Sequence, residues 1–108
     1  MSVLIVFTSA PDRAVAEKIA HALIERRLAA CVNILAPCTS IYRWQDKIET
    51  AGEVPLLIKT RDAIYDEVEA LIRSLHPYEL PEIVAVSVER GLPEYIDWVS
   101  TATVTDIG

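Results

Sequence analysis

The chain has 108 residues and a formal net charge of −6 at pH 7, and this length predicts one domain over residues 1–108. The acidic balance argues against a surface that follows nucleic-acid phosphates, because such surfaces need clustered Lys and Arg. The first apolar run, residues 3–7, is too short for a membrane span or a signal peptide, and no basic segment precedes it. We therefore expect a cytoplasmic protein with neither a nucleic-acid nor a membrane partner.

The first half of the chain predicts a strand, a helix and a long extended segment. Residues 3–7 are continuously apolar, as in a buried strand, and over residues 12–28 apolar side chains recur at helical spacing. Residues 29–34 and 40–44 have strand character again, with Pro37 between them. This pattern predicts an amphipathic helix that lies on a sheet, followed by one long bent strand.

The second half predicts a hairpin, a helix, a strand and a short final helix. Residues 45–47 form a polar tip, and the extended run 54–60 completes a long hairpin that projects beyond the body. Residues 64–75 place their apolar side chains on one helical stripe. Residues 83–88 read as the last core strand and residues 93–99 as a short helix.

The predicted order βαββαβ, with right-handed crossovers, indicates an α+β ferredoxin-like sandwich. Its four antiparallel strands would carry both main helices on one face, with the long hairpin between the second and third strands. The other face should then be polar, yet residues 3–7 and 83–88 are apolar or small on both faces. A final helix of about two turns is too short to cover four strands. The sequence therefore predicts a homo-oligomer that buries this face.

Motifs for the common enzyme chemistries are absent. The three glycines, Gly52, Gly91 and Gly108, do not form a phosphate-binding loop or a nucleophile elbow. The histidines, His21 and His76, have no nucleophile at a recognisable spacing. We therefore predict a protein that is not an enzyme and assign His21 no role.

The two cysteines match neither a redox pair nor a zinc knuckle, so reduced thiols are expected. Cys31 lies in a strand, where a thiol usually packs as a small hydrophobe, and we favour packing over ligation. Cys38 follows Pro37 in a turn and is expected to be exposed. It is a candidate for soft-metal binding or oxidation, although an incidental thiol is favoured.

The segment His76-Pro77-Tyr78-Glu79 brings an imidazole, a phenol and a carboxylate into one helix-to-strand connection. One His and one Glu do not complete a metal site, but a neighbouring subunit can add ligands. His76 is therefore the candidate metal ligand.

A cleft is also predicted around the hairpin and this connection. Lys59 is placed to face Glu79 or Glu82 across it, and Tyr42 and Trp44 to line it. The alternatives are a surface ion pair and an aromatic interface anchor, and for Trp44 we favour the interface role.

Six segments, in this order and at this spacing, resemble the CutA family of divalent-cation tolerance proteins: Ala30-Cys31-Val32-Asn33-Ile34, Ser40-Ile41-Tyr42-Arg43-Trp44, Ile48-Glu49, Ile58-Lys59-Thr60, His76-Pro77-Tyr78-Glu79 and Pro81-Glu82-Ile83. The resemblance runs from the first strand to the last helix. It implies a ferredoxin-like subunit in a tight homotrimer, with long hairpins joining neighbours and clefts between subunits. It also implies a link to tolerance of divalent metals, especially copper. In such an inter-subunit cleft we place Cys31, Trp44, Lys59, Tyr78 and Glu82.

The chain departs from the family pattern in two places. The family usually has Trp-x-Gly at the hairpin tip, where this chain has Trp44-Gln45-Asp46. Asp tolerates a left-handed turn better than most residues, so we expect the hairpin to form. Some family members carry a Cys at the position of Phe7 and a His at the position of Leu75. In those members the Cys and the His look like copper ligands. Only His76 is kept here.

The leading hypothesis is a non-enzymatic homotrimer of CutA type that binds copper or another divalent metal weakly between subunits. The alternative is a signalling or scaffold trimer that binds a small metabolite or a partner protein in its clefts. A cryptic enzyme using Lys59, Tyr78 and Glu82 ranks last, because no nucleophile and base are recognisable.

Overall fold

The computed structural model describes residues 2–104, and in this range it has five strands and three α-helices. A one-turn 3₁₀ helix, Asp62–Ile64, comes directly before the second α-helix. The elements in chain order are β1 (Val3–Ala10), α1 (Arg13–Glu25), β2 (Cys31–Ile34), β3 (Cys38–Trp44), β4 (Lys47–Arg61), α2 (Tyr65–Leu75), β5 (Ile83–Ser87) and α3 (Pro93–Ala102).

Local capping determines where α1 begins and ends. The Asp12 carboxylate accepts a hydrogen bond from the Val15 backbone N–H at 2.9 Å, which satisfies one free donor of the first turn. At the other end the Leu28 N–H donates to the Leu23 carbonyl at 2.9 Å, and Arg27 adopts a left-handed conformation with φ of 57°. This closure is a Schellman motif in which Arg27 takes the position usually held by glycine.

The long strand β4 organises the antiparallel sheet, whose order is β2-β4-β1-β5. Residues 54–61 of β4 pair with β1 on one side, and residues 56–59 pair with β2 on the other. Residues 47–53 pair with β3 alone. The β3–β4 hairpin therefore extends beyond the body of the sheet, as predicted, and contributes to a longest dimension of 44 Å.

The hydrophobic core lies between one face of the sheet and the helices α1 and α2. Alternate residues of the central strands, including Val6, Leu56 and Ile58, are fully buried there against Ile19 of α1 and Ile72 of α2. The alternation follows from the two-residue period of a strand, in which each residue between two buried ones points to the opposite face of the sheet.

Within residues 2–104, the opposite face of the sheet is covered only at one end. There α3 packs over Val3 and Arg61, and the Arg61 Nε–H donates to Thr103 Oγ1 at 2.8 Å. Val84 and Val86 on β5 remain 52% and 51% exposed. In the described part of the chain, the predicted uncovered apolar face is thus present, and α3 is too short to cover it.

The extended segments differ from the sequence prediction in two respects. The long bent strand is two strands, β2 and β3. Leu35 still donates its N–H to the Pro55 carbonyl at 2.9 Å, and the pairing with β4 is then interrupted as far as Pro37, which has no N–H to donate. The segment 47–53, predicted in part as a polar tip, belongs to β4, because it pairs along its whole length with β3. The sheet therefore has five strands rather than the predicted four.

The hairpin tip forms without glycine, as predicted. Gln45 and Asp46 have φ of 50° and 63°. Positive φ at both central residues is characteristic of a two-residue type I′ turn, whose twist matches that of the flanking strands. The tip therefore places two non-glycine residues in a conformation that glycine adopts at lower cost.

Candidate functional site

An open cleft of about 930 Å³ lies between strand β3 and the loop of residues 77–82 that joins α2 to β5. Tyr42 and Trp44 are two positions apart on β3 and therefore point to the same side of the hairpin. Tyr78 enters the cleft from the loop, and Glu82 lines it near the start of β5. The structure thus brings together the predicted cleft residues Trp44, Tyr78 and Glu82 within one chain.

His76 anchors the loop that carries Tyr78. Its side chain is 7% exposed, and its Nε2–H donates to the Ser9 carbonyl at 2.6 Å. Its Nδ1 accepts a hydrogen bond from the Tyr78 backbone N–H at 3.2 Å. The His76 and Tyr78 ring centroids are 4.6 Å apart. His76 therefore positions the Tyr78 ring relative to the end of β1.

These partners assign the His76 tautomer and occupy both ring nitrogens. A carbonyl only accepts and a backbone N–H only donates, so Nε2 carries the proton and the Nδ1 lone pair is used. A metal ligand needs a free imidazole lone pair. Metal binding by His76 stays a prediction, and the observed geometry does not favour it.

The cleft is predominantly negative. Its charged side chains are the carboxylates of Glu53, Glu79 and Glu82 and the single guanidinium of Arg43. Burial raises the pKa of the Tyr78 hydroxyl, and the neighbouring Glu53 carboxylate raises this pKa further. Within residues 2–104 the one ion pair, Arg13 with Glu17 on α1, involves none of the cleft's carboxylates. A cation placed in the cleft would therefore meet unpaired negative charge.

The other predicted cleft residues, Cys31 and Lys59, lie elsewhere. They are opposite each other in the β2–β4 pairing, on the sheet face away from α1 and α2. The Lys59 Nζ donates to Asn33 Oδ1, and the Cys31 Sγ lies 3.9 Å from the same oxygen. Lys59 is six residues along β4 from Glu53, about 20 Å in an extended strand. Lys59 therefore pairs with Asn33 rather than with Glu79 or Glu82.

Cys31 also lies near the final helix. Burial raises the pKa of the Tyr95 hydroxyl on α3, and the Cys31 thiol is the second cause of this shift.

Both cysteines are free thiols, and Cys38 is exposed as predicted, although it begins β3 rather than lying in a turn. Cys38 pairs with Glu53 and Cys31 with Lys59 along β4, which separates the two thiols far beyond disulfide distance.

Three polar side chains of these two sites were absent from the sequence prediction. Asn33 was detectable, because it follows Cys31 by two positions on a strand and therefore shares its face. Glu53 and Arg43 in the cleft had no such signal, because their positions depend on the β3–β4 register.

A complete metal centre is not built within residues 2–104 of one chain: no group of three or more His, Cys, Asp or Glu side chains converges there. In the same range, no helix combines the length and the apolar character needed to cross a bilayer.

Comparison with known proteins identifies the fold family. A family model described as CutA1 divalent ion tolerance protein matches residues 4–102. A solved divalent cation tolerance protein from Thermus thermophilus has a TM-score of 0.93 and 43% identity, with 94% of this chain and 99% of that chain covered. The Archaeoglobus fulgidus structure, described as a periplasmic divalent cation tolerance protein, has a TM-score of 0.90 and 40% identity, with 93% and 97% covered.

A longer relative gives the same result. Protein CutA of Mus musculus is 45% identical over 102 residues, which are 94% of this chain and 58% of the mouse protein. The chain thus spans less than two thirds of the length of this relative. The matches include the long hairpin and the His76–Glu82 connection that together form the cleft. On this evidence, the chain belongs to the CutA1 family of divalent ion tolerance proteins.

Proposed function

We propose that this protein acts in divalent-cation tolerance as a non-enzymatic homotrimer of ferredoxin-like subunits. Membership of the CutA1 family supports the tolerance role. The strand order β2-β4-β1-β5, with α1 and α2 on one face, supports the ferredoxin-like subunit. The observation that carries the assembly is the apolar sheet face that residues 2–104 leave uncovered.

That face continues across three strands. Ile5 and Phe7 of β1 and Leu57 of β4 alternate with buried core positions and therefore point away from the helices. Val84 and Val86 of β5 share this face, because they pair directly with Phe7 and Ile5. A contiguous apolar surface of this kind usually marks an interface in a soluble protein. A second copy of the chain is its natural partner, since the same face recurs on every copy.

The projecting hairpin offers a second contact. Residues 47–53 of β4 pair with β3 on one side only, because the β1 ladder begins at Val54. Their other edge therefore presents unpaired backbone groups that can accept a strand. Ile41 and Ile48, on the two strands of the hairpin, are 71% and 72% exposed. A neighbouring subunit would satisfy the edge and bury these side chains.

Size-exclusion chromatography with light scattering tests the assembly. We expect a mass near three times 12.0 kDa over a wide concentration range. Val86→Glu should dissociate the trimer, whereas Ile24→Glu, at an exposed apolar position on α1, should leave the mass unchanged. A wild-type chain that elutes as a monomer at every concentration would refute the proposal.

The metal ion is proposed to bind weakly and between subunits, with copper or another divalent ion as the occupant. Support comes from membership of a family of divalent ion tolerance proteins. No ligand group converges within residues 2–104 of one chain, so the proposal places the site where two copies meet. Calorimetric titration of the trimer with Cu²⁺ should give weak binding, and an absence of heat would refute this part. His76→Asn should leave the affinity unchanged if His76 only positions the loop.

The second candidate function is a signalling or scaffold trimer that binds a small metabolite or a partner protein in its clefts. One observation favours it: the 930 Å³ cleft has three aromatic rings at its wall, which is the usual character of a ligand pocket. Saturable shifts of the Trp44 indole resonance on ligand addition would support it.

The cytoplasmic location stays a prediction, which fractionation of the source cell would test.

A further inference from the structure

We propose that the cleft between β3 and the 77–82 loop binds a small organic cation, namely an ammonium or guanidinium group attached to an apolar body. This inference deepens the second proposed function by naming the chemical class of the ligand, and it rests on the ligand-binding cleft of that proposal rather than on the trimer. It is carried by the combination of aromatic rings, unpaired carboxylates and an anchored loop in one cavity.

The aromatic rings supply the first part of the recognition. Tyr42 and Trp44 project from one side of β3, and Tyr78 from the opposite wall. Within a single chain these three residues are 45%, 39% and 38% exposed, so their rings line the open cleft and are not packed into the core. An organic cation gains twice from such walls, because its apolar body contacts the rings and its charge is attracted to their faces.

The carboxylates supply the second part. Glu53, Glu79 and Glu82 line the cleft together with only one cationic side chain, Arg43. In the described part of the chain none of the three carboxylates has a salt-bridge partner. The N–H groups of an ammonium or guanidinium form charge-assisted hydrogen bonds to carboxylates. The charge of the cleft therefore complements a cation and disfavours an anion.

The same features separate an organic cation from a metal ion. A divalent metal needs several converging oxygen, nitrogen or sulfur ligands, and residues 2–104 do not bring three such side chains together. The Trp44 indole and the faces of the aromatic rings offer no ligand atom to a metal. An organic cation uses both the rings and the separated carboxylates, whereas a metal ion uses neither well.

The loop wall is held in place before any ligand arrives. His76 is buried and hydrogen-bonded to Ser9 on β1 and to the Tyr78 backbone, and it contacts the Tyr78 ring. This arrangement lowers the ordering cost that a ligand would otherwise meet. His76 is therefore a positioning residue for the cation site.

The test uses three probes of similar size and different charge on the 108-residue chain at neutral pH. Benzylammonium is the cation, benzyl alcohol its neutral analogue and benzoate the anion. Binding is followed by amide and indole NMR shifts and by calorimetry. We expect benzylammonium to bind at least about 5-fold more tightly than benzyl alcohol, as a cation–π contribution of ordinary size requires. Equal affinity for all three probes would overturn the proposal.

Two variants with matched controls locate the site. Trp44→Leu should weaken benzylammonium binding about 5-fold, whereas Trp98→Leu, at an exposed tryptophan of α3 outside the cleft, should not. Glu53→Gln removes one carboxylate without changing its shape and should weaken benzylammonium but not benzyl alcohol. Glu25→Gln on α1 is its control. Unchanged affinity in both cleft variants would overturn the assignment.

Light scattering on the same samples separates this inference from the proposed assembly. A trimer that fails to distinguish benzylammonium from benzyl alcohol overturns the cation site and leaves the trimer intact. A monomer that binds benzylammonium through Trp44 and Glu53 supports the cation site, whose walls come from one chain, and refutes the trimer.

Discussion

The hydroxyl of Thr8 is the clearest unfavourable group in the core. Thr8 is 2% exposed on the helix-facing side of β1, and its Oγ1 has no hydrogen-bond partner within the described residues. It lies opposite Leu56 on β4 and Ile83 on β5. A buried hydroxyl without a partner costs about 1–3 kcal/mol relative to a satisfied one. Because Val has almost the same shape, Thr8→Val should remove this cost without leaving a cavity.

We expect Thr8→Val to raise the free energy of unfolding by about 1 kcal/mol. The matched control is Thr60→Val on β4. The Thr60 side chain is also buried, but its hydroxyl donates to the Leu28 carbonyl at 2.6 Å. This substitution should lower the free energy of unfolding by about 1–2 kcal/mol, because it breaks a hydrogen bond and leaves a buried carbonyl.

Guanidinium denaturation followed by circular dichroism measures both values. All variants should be compared at one protein concentration, since assembly contributes to the apparent stability of an oligomer. The reasoning predicts opposite signs for two identical chemical changes on the same face of the sheet. If both substitutions shift the denaturation midpoint in the same direction, then the presence or absence of a hydrogen-bond partner for each hydroxyl does not determine how its removal changes the free energy of unfolding.

Three further predictions concern the turn, the loop anchor and alkaline pH. Asp46→Gly should stabilise the protein by about 0.5 kcal/mol in the same assay, because Asp46 has a φ of 63°; a loss of stability would contradict the type I′ turn. His76→Leu should cost about 2 kcal/mol, because the Ser9 carbonyl and the Tyr78 N–H lose their partner, and a near-neutral result would show that water replaces the ring. The pKa of Tyr78 is raised above 10.0 in the folded state, so its contribution to stability is complete below pH 10.0 and is lost as the pH rises through the folded pKa. Phenolate absorbance should therefore show a late-titrating tyrosine that Glu53→Gln shifts to lower pH.

Much of the candidate site could be predicted from the sequence, because its geometry depends on residues that are close together in the chain. The alternation of side chains along β3 places Tyr42 and Trp44 on one side of the strand. The His76 imidazole and the Tyr78 backbone that it holds are only two residues apart in the chain. The role of His76, by contrast, depends on a residue that is distant in the chain, and the prediction that it binds a metal is not favoured by the observed geometry. The Ser9 carbonyl that binds Nε2 lies 67 positions away, so no local pattern reports that the imidazole is already satisfied.

The sequence by itself determined the local elements and the family. Residue periodicity, the cap at Asp12 and the apolar stripes of the helices act over a few positions, and their energies do not need the rest of the chain. The tertiary structure alone decided the length of β4 and the separation of Cys31 and Lys59 from the aromatic cleft. These features depend on which strand pairs with which, and in what register. Register is set by long-range packing of whole faces rather than by any single residue.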